Sequence, residues 1–229
     1  MRLCVFLAQS SHLSRREAGE YIKKGRIKVN GGIIKNPAYQ VKEFDKVEFE
    51  GKTLSRSNPL YIIFYKPVGV VSVFKDRFAE KNLGDFIPKR WGKVYPVGRL
   101  DKNSCGLMLL TNDGELCFRI SHPKFQIEKE YEVKINTLLS DKNIRRMKEG
   151  IEDGGDILRV KYVRVLKKSL NGSLISLLLT EGKKREIRRI FKKLGIKVLS
   201  LKRVRISNIK LGRLKPGEYR FLKREQIRI

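Results

Sequence analysis

Residues 94–114 read VYPVGRLDKNSCGLMLLTNDG and place a short polar loop between two apolar runs. The first run, Val94 to Val97, ends at Gly98, and the second covers Leu107 to Leu110. Apolar runs this short, bounded by turn residues, are typical of buried strands. Two buried strands would hold such a connecting loop rigidly while its polar side chains stay accessible. We therefore expect functional residues in this loop.

Asp101 is the candidate functional residue of the loop. It lies between Arg99 and Lys102, and nearby positive charge favours the ionised form of a carboxyl group. Local features alone leave two interpretations open: a functional carboxylate, or a solvated turn residue with incidental basic neighbours. Taken by themselves, they favour the second.

The same stretch resembles the signature of the pseudouridine synthases, especially the branch that modifies bacterial ribosomal RNA and includes the small-subunit synthase A and the large-subunit synthases B, E and F. In that family, Gly-Arg-Leu-Asp is followed by two variable residues, Thr, one variable residue, Gly-Leu, and an apolar strand that ends in Thr-Asn-Asp-Gly. Ser104 replaces the Thr here, which keeps the hydroxyl group and loses a methyl group. A match of this length favours the functional interpretation of Asp101.

The charge of the chain indicates a polyanionic partner. Its 229 residues include 52 Lys and Arg against 24 Asp and Glu, a formal net charge of +28. Such an excess favours nucleic acid or an anionic membrane surface. No apolar run approaches the roughly 18 residues of a transmembrane helix, and residues 1–20 lack the apolar core of a secretion signal. RNA or DNA is therefore favoured, and we expect a cytoplasmic location.

The sequence gives no support for metal, nucleotide or thiol chemistry. Cys4, Cys105 and Cys117 are too few and too scattered for a disulfide framework or a zinc site. His12 and His122 lie far apart without metal-ligand spacing, and no P-loop or dinucleotide-binding glycine pattern is present. We therefore expect no metal and no cofactor, which leaves carboxylate chemistry for an enzyme.

Residues 1–57 are predicted to form a separate small domain. Ser14 and Glu17 have the capping-box spacing for a helix that ends at Gly25, and Asn30-Gly31 is a strong hairpin signal. An ordinary solvated helix face is the alternative explanation of the basic residues here, although two acidic residues on that helix do not balance them. The stretch LSRREAGEYIKKGRIKVNGGIIKNP resembles the S4-type RNA-binding domain. Its expected RNA contacts are Arg15, Arg16, Lys23, Lys24 and Arg26.

Residues 58–229 are predicted to form the second domain. The run Lys66-Pro67-Val68-Gly69 splits their first apolar stretch, forces a turn and is also shared by the pseudouridine synthases. Lys66 is expected to line the space that this turn surrounds and to contact RNA.

Helices and strands are mixed through the rest of this domain. We expect a helix with loops over residues 78–91, a capped helix over residues 140–150, and one strand between two turns over residues 151–172. Asn112 is predicted to cap the helix that follows it. Tyr131 lies in a stretch that alternates apolar and charged residues, as a half-buried strand does. A Tyr that only fills a sheet face is the alternative to a functional one.

Residues 184–195 combine an amphipathic helix with dense positive charge. Its apolar positions have helical spacing and are Ile187, Ile190, Phe191 and Leu194. Its basic positions are Lys184, Arg185, Arg188, Arg189, Lys192 and Lys193. Residues 180–229 hold 18 basic and 4 acidic residues, which is the electrostatic footprint of phosphate binding. The helix resembles the last motif of the pseudouridine synthases, in which Gln is usual at the place of Glu186.

The resemblance implies a role for each matching residue. Asp101 is the implied nucleophile and Arg188 the residue that pairs with it, although a one-residue shift of the alignment would give that role to Arg189. Tyr131 is implied to stack on the uracil and to help remove the proton at the new bond. Arg99 is implied to support RNA binding or extrusion of the base. Further RNA contacts are expected from Lys184, Arg185 and Arg189.

The implied reaction breaks the carbon–nitrogen glycosidic bond of a uridine and rejoins the base through carbon. Bond breaking places oxocarbenium-like charge on the ribose, which an anionic carboxylate can stabilise or trap. The base must leave its stack to be reached, and an aromatic face suits the holding of it. Leu201 is expected to pack at the floor of the pocket.

Short strands, several of them antiparallel, are interleaved with a few helices and predict an α+β protein. The resemblance implies a small α/β RNA-binding domain followed by a catalytic domain with a mixed, mostly antiparallel sheet flanked by helices. It implies an isomerase that converts one uridine to pseudouridine, with ribosomal RNA of either subunit or a pre-ribosomal particle as partner. We expect a monomer, because few signals in the sequence indicate oligomerisation. The alternative from another class is a non-catalytic RNA-binding or ribosome-assembly factor. A DNA glycosidase is less favoured because the N-terminal module resembles an RNA-binding domain.

Overall fold

The computed structural model describes residues 1–55 and 57–229. Contacts within the chain define two compact units, Met1–Pro59 and Leu60–Ile229. Each unit has its own buried apolar core. Across the described ranges, no helix is both long enough and apolar enough to cross a membrane.

The first unit begins with two helices, α1 (Leu3–Ser10) and α2 (Arg15–Lys23). The predicted capping box of α2 is confirmed. The Ser14 hydroxyl accepts from the Glu17 N–H at 3.3 Å, and the Glu17 carboxylate accepts from the Ser14 N–H at 2.6 Å. These bonds satisfy backbone donors that the start of a helix leaves free. Gly25 follows the helix with a φ of 70°, which glycine adopts without a steric penalty.

A four-stranded antiparallel sheet completes the first unit. Its strands are β1 (Ile27–Val29), β2 (Gly32–Ile33), β3 (Val47–Phe49) and β4 (Lys52–Leu54), in the order β2-β1-β3-β4. Asn30 and Gly31 have φ values of 51° and 83°, the left-handed values of a type I′ turn, so the predicted hairpin is confirmed. The core between helices and sheet includes Leu7, Ile22, Ile27 and Val47.

The second unit contains the longer strands and three more helices. Its strands are β5 (Tyr61–Lys66), β6 (Val70–Val71), β7 (Lys81–Asn82), β8 (Tyr95–Pro96), β9 (Cys105–Thr111), β10 (Lys129–Ile135), β11 (Ile151–Asp153), β12 (Asp156–Leu158), β13 (Tyr162–Ser169), β14 (Gly172–Leu179), β15 (Val198–Ile206), β16 (Ile209–Lys210) and β17 (Tyr219–Phe221). Its helices are α3 (Gly114–Ser121), α4 (Asp141–Glu149) and α5 (Glu186–Lys193). Single 3₁₀ turns cover Leu83–Asp85, Lys89–Trp91, Pro123–Phe125 and Arg224–Gln226.

A nine-stranded sheet is the frame of the second unit. Seven strands follow the order β13-β14-β10-β15-β9-β5-β17, while β16 pairs with β15 and β8 pairs with β9. The β15–β9 pair is parallel and the other pairs are antiparallel. This mixed, mostly antiparallel sheet with flanking helices confirms the predicted α+β class.

Both faces of the sheet are covered at β5 and β9, which explains the unbroken apolar runs of these two strands. Along β9, Leu107 and Leu109 belong to one core while Met108 and Leu110 belong to the other, because successive strand residues face opposite sides. Helix α3 packs on the first face. The predicted amphipathic helix α5 is confirmed and packs on the second face through Ile187, Ile190 and Phe191.

The parallel pair β9–β15 depends on one glycine. Gly106 lies opposite Arg203 and has a φ of 104°. A Cβ atom at this position would overlap the Arg203 backbone. Glycine therefore permits the close approach of the two strands, and this approach brings the loop before β9 next to β15.

Two segments contain different elements from those predicted. Residues 78–91 form β7 and two 3₁₀ turns rather than a helix, because Pro88 and two nearby glycines disfavour a longer helical run. Residues 151–172 contain β11, β12 and β13 rather than one strand. Gly154 and Gly155, with φ values of 59° and 80°, form the first predicted turn, but the prediction missed β11 before it and the break between β12 and β13.

The predicted cap of α3 is also wrong by one residue. Asp113 caps the helix, and its carboxylate accepts from two backbone N–H groups of the first turn at 3.0 Å each. Asn112 instead accepts from the Leu60 N–H at 2.8 Å, a contact between β5 and the end of β9. Either side chain suits a helix cap, so sequence could not distinguish them.

Candidate active site

The loop that carries Asp101 is fastened to the turn after β5. The Ser72 hydroxyl donates to the Leu100 carbonyl at 2.6 Å and accepts from the Leu100 N–H at 3.0 Å. On the other side of Asp101, the Lys102 carbonyl accepts from the Gly69 N–H at 2.8 Å. The backbone is therefore held on both sides of Asp101 while its side chain remains free of these bonds.

Two arginines of the α5 region face the Asp101 carboxylate. Arg185 Nη1 lies 3.9 Å and Arg188 Nε lies 4.0 Å from Asp101 Oδ2, and the Asp101 side chain is 35% exposed. Arg188 also donates from Nη2 to the Asn103 carbonyl at 2.7 Å. Arg185 has a left-handed φ of 52°, an uncommon conformation for a non-glycine residue that occurs at functional sites. These arginines supply the positive charge next to Asp101.

The adjacent Arg189 faces away from Asp101. Its Nε and Nη1 lie 2.5 Å and 2.8 Å from carboxylate oxygens of Asp153 and Asp156, and its Nη2 donates to the Asp153 carbonyl. Both aspartates lie on the hairpin of β11 and β12. The structure thus places Arg188, rather than Arg189, beside Asp101, and the guanidinium of Arg189 is already paired.

A cavity of about 140 Å³ opens beside Asp101. Of the residues predicted from sequence, it is lined by Arg99, Asp101, Tyr131, Arg185 and Leu201. Tyr131 lies on β10 and is 8% exposed. The sheet therefore brings the predicted carboxylate and the predicted aromatic ring, which are 30 residues apart in sequence, into one pocket.

The same cavity has a charged wall that sequence reasoning largely missed. Glu186 at the start of α5 is 4% exposed, and burial raises the pKa of its carboxyl to about 7. Arg203 on β15 is 3% exposed and donates from Nε to the Leu107 carbonyl at 2.7 Å. Burial and the Arg203 charge lower the pKa of Lys129 on β10. The sequence did contain a signal for this wall. Lys129 is a charged residue at a position of the alternating strand β10 that faces the same side as the buried residues.

Lys66 has a different place from the one predicted. Its side chain is fully buried, and its ammonium donates to the Pro67 and Val70 carbonyls at 2.8 Å and 2.7 Å. Burial lowers its pKa to about 8. A direct RNA contact by Lys66 does not fit this burial. The ammonium instead holds together the turn to which the Asp101 loop is fastened.

The basic residues predicted in the first unit form a separate group on and after α2. Arg15, Arg16, Lys24 and Arg26 are exposed, and Lys23 is exposed with an ion pair to Glu20 at 3.2 Å. Lys184, in the second unit, is exposed in the loop before α5. Exposed cations of this kind can meet phosphate groups without first losing a buried partner.

The mixed sheet places an arginine-flanked carboxylate in a pocket, an arrangement that suits carboxylate chemistry on an anionic substrate. Residues 60–193 match the RNA pseudouridylate synthase family, and residues 1–47 match the S4 domain. The chain belongs to the RNA pseudouridylate synthase family, as its motifs predicted. It is accordingly an isomerase that acts on RNA.

Relatives cover nearly the whole chain. It is 35% identical to the ribosomal large subunit pseudouridine synthase B of Bacillus subtilis, with 99% of this chain and 94% of that protein aligned. It is 33% identical to the ribosomal small subunit pseudouridine synthase A of Vibrio cholerae, with 99% and 98% aligned. A crystal structure of a pseudouridylate synthase, 31% identical, covers 99% of this chain and 97% of its own with a TM-score of 0.68.

Proposed function

We propose that this enzyme converts one uridine of ribosomal RNA to pseudouridine and that Asp101 is its nucleophile. The carrying observation is the placement of Asp101 on a doubly fastened loop, beside two arginines, in the same pocket as Tyr131. The ribosomal substrate is supported by relatives that align over nearly their full length and are named for ribosomal RNA of the large and the small subunit.

In the proposed mechanism, the target uridine leaves its stack and enters the pocket. The bond between the ribose C1′ and N1 of the base breaks, and the Asp101 carboxylate stabilises or traps the positive charge on the ribose. The base, which leaves with the electron pair of the broken bond, turns, and its C5 bonds to C1′, which releases the Asp101 carboxylate if it has bonded there. The proton on C5 is then removed, and N1 gains a proton. Arg188 supplies positive charge beside the Asp101 carboxylate.

The remaining roles follow from exposure and position. Tyr131 presents a ring on which the uracil stacks, and it assists the removal of the C5 proton. Arg99 is exposed at the pocket and supports extrusion of the base or holds the vacated backbone. Lys184 and Arg185 bind phosphates that flank the target.

We further propose that residues 1–57 act as the RNA-binding domain and residues 58–229 as the catalytic domain. The exposed cations of α2 give the first domain a surface for phosphates. The proposed partner is ribosomal RNA or a pre-ribosomal particle in the cytoplasm, and the proposed working form is a monomer.

Pseudouridine mapping tests this proposal. Total RNA would be compared from cells with the gene, without it, and without it but expressing either the wild type or Asp101→Asn. One ribosomal position is expected to lose its mark without the gene and to regain it only with the wild type. Unchanged marks at every position would support the rival function, a non-catalytic RNA-binding factor. Rescue by Asp101→Asn would remove Asp101 as the nucleophile.

A further inference from the structure

Three charged side chains on the wall of the Asp101 cavity have no part in the proposed chemistry. Lys129, Glu186 and Arg203 come from β10, α5 and β15, so three separate elements bring them together. Charged groups are rarely buried unless they are paired or serve a ligand. Their presence in a pocket for a base therefore calls for an explanation.

Glu186 and Arg203 each keep one polar atom without a partner. Oε2 of Glu186 accepts from the Lys183 N–H at 3.2 Å, whereas its Oε1 is buried and has no hydrogen-bond partner among the described residues. Arg203 uses Nε for the Leu107 carbonyl, and within the described ranges its buried Nη2 is also unpaired. Leaving a buried polar atom unpaired costs free energy. The wall therefore offers a ligand one hydrogen-bond acceptor, Glu186 Oε1, and one donor, Arg203 Nη2.

The two unpaired atoms complement the edge of uracil. That edge presents one N–H donor, at N3, between two carbonyl acceptors. We propose, on the basis of the proposed function, that Glu186 is a specificity residue that accepts the N3–H of the flipped base while Arg203, with Lys129 beside it, donates to a neighbouring carbonyl. Cytosine carries a lone pair at N3 instead of a proton, so it would face the Glu186 carboxylate without a bond and be rejected.

The electrostatics of the wall agree with this assignment. Burial raises the pKa of Glu186 to about 7, with Glu181 raising it and Lys183 and Lys129 lowering it. Lys183 and Glu181 lie on the preceding loop, Lys129 on β10 and Arg203 on β15. The ionised carboxylate can only accept, whereas the protonated acid also has an O–H that can donate to N3 of cytosine, so the preference for uracil over cytosine is expected to grow as the pH rises through about 7.

The test measures base preference without turnover. In the Asp101→Asn background, binding would be measured for RNA fragments that carry uridine, cytidine or 3-methyluridine at the position found by mapping. Uridine is expected to bind about 10- to 100-fold more tightly than either alternative, the effect of losing one hydrogen bond to a charged group. Glu186→Leu should bring all three affinities to within about threefold of one another. Glu186→Gln should keep the preference over 3-methyluridine, because its amide oxygen still accepts from N3–H, and should lose much of the preference over cytidine, because its amide N–H₂ can donate to cytosine N3.

Two results would overturn the inference. One is an unchanged preference for uridine in Glu186→Leu. The other is a rise of the preference for uridine over cytidine through pH 7 that persists in Glu186→Gln, because that variant has no carboxyl to titrate. Lys142→Ala, an exposed change on α4, is the matched control for both variants. Mapping and the turnover of wild type against Asp101→Asn report on the proposed function separately, so the two failures are distinguishable.

Discussion

Helices α2 and α5 look alike in sequence and use their charges differently. Both are amphipathic and both carry an Arg-Arg pair. In α2, Arg15 and Arg16 are exposed to solvent. In α5, Arg188 donates to the Asn103 carbonyl beside Asp101, and Arg189 is held by Asp153 and Asp156.

The difference shows that a basic stripe in the sequence does not determine which partners its side chains have in the fold. The partners of Arg188 and Arg189 lie 85 and 36 residues away in sequence, so no local pattern contains them. The cations of α2 are available to phosphate, while the two central cations of α5 contact the Asp101 loop and the hairpin of β11 and β12. Substitutions in α5 should therefore change chemistry and stability, and substitutions in α2 should change RNA affinity.

The largest expected effect is on turnover. Arg188→Ala removes a charge beside Asp101 and a bond to the loop, so kcat should fall about 10²- to 10³-fold, the scale for loss of one preorganised electrostatic contact. KM should change little, since the exposed RNA contacts remain. Assays of the rate over a range of RNA concentrations up to saturation would measure kcat and KM, with Lys142→Ala as the control. A defect confined to KM would make Arg188 an ordinary phosphate contact, like the arginines of α2.

The next effect concerns the stability of α5. The pKa of Glu186 is raised from 4.5 to about 7, so the folded state binds more protons than the unfolded state between these values and stability falls as pH rises. Glu186→Gln removes this penalty and should raise the free energy of unfolding by about 2–3 kcal/mol at pH 8 and by little at pH 4. Urea unfolding at both pH values measures it.

Helix α2 offers the matched control for that prediction. Glu20 is exposed and pairs with Lys23, so Glu20→Gln should change the free energy of unfolding by less than about 0.5 kcal/mol at either pH. An equal rise in the free energy of unfolding of both variants would show that the loss of one negative charge, rather than the burial of Glu186, causes the effect.

A smaller effect is expected on RNA affinity. Arg15→Ala combined with Arg16→Ala should weaken RNA binding about tenfold near physiological salt and reduce the slope of log affinity against log salt by about 1.4–1.8, as loss of two phosphate contacts requires. Because both side chains are exposed, the unfolding midpoint should stay unchanged. Binding titrations at several salt concentrations measure the slope. An unchanged slope would remove α2 from the RNA interface.

The smallest effect is expected at the hairpin that holds Arg189. The Arg189 guanidinium lowers the pKa of Asp153 below its ordinary value of 3.8, so the stabilisation is present above that value and lost as pH falls through the lower folded pKa. Asp153→Asn should therefore lower the melting temperature slightly at pH 7, and the difference from the wild type should shrink as the pH falls below 3.8. A difference that stays constant as the pH is lowered would assign it to hairpin packing.

Local chemistry predicted much of this molecule. The Ser14 cap, the Asn30-Gly31 turn and the apolar face of α5 follow from contacts within a few residues, and all three were predicted. The resemblance added the fold and the family. Burial of Lys66 was missed, because a lysine beside a turn looks exposed until the sheet closes around it. The charged wall of Lys129, Glu186 and Arg203 was missed because three elements that are distant in sequence form it.

The bonds between Ser72 and Leu100, together with the bond from Gly69 to Lys102, limit how the loop can vary in length. Surface loops usually accept insertions without loss of function. Here one extra residue between Leu100 and Lys102 would separate two fastened points and displace Asp101 from both arginines. A designer who wishes to redirect this enzyme to another RNA should therefore keep residues 98–104 unaltered and diversify exposed segments elsewhere.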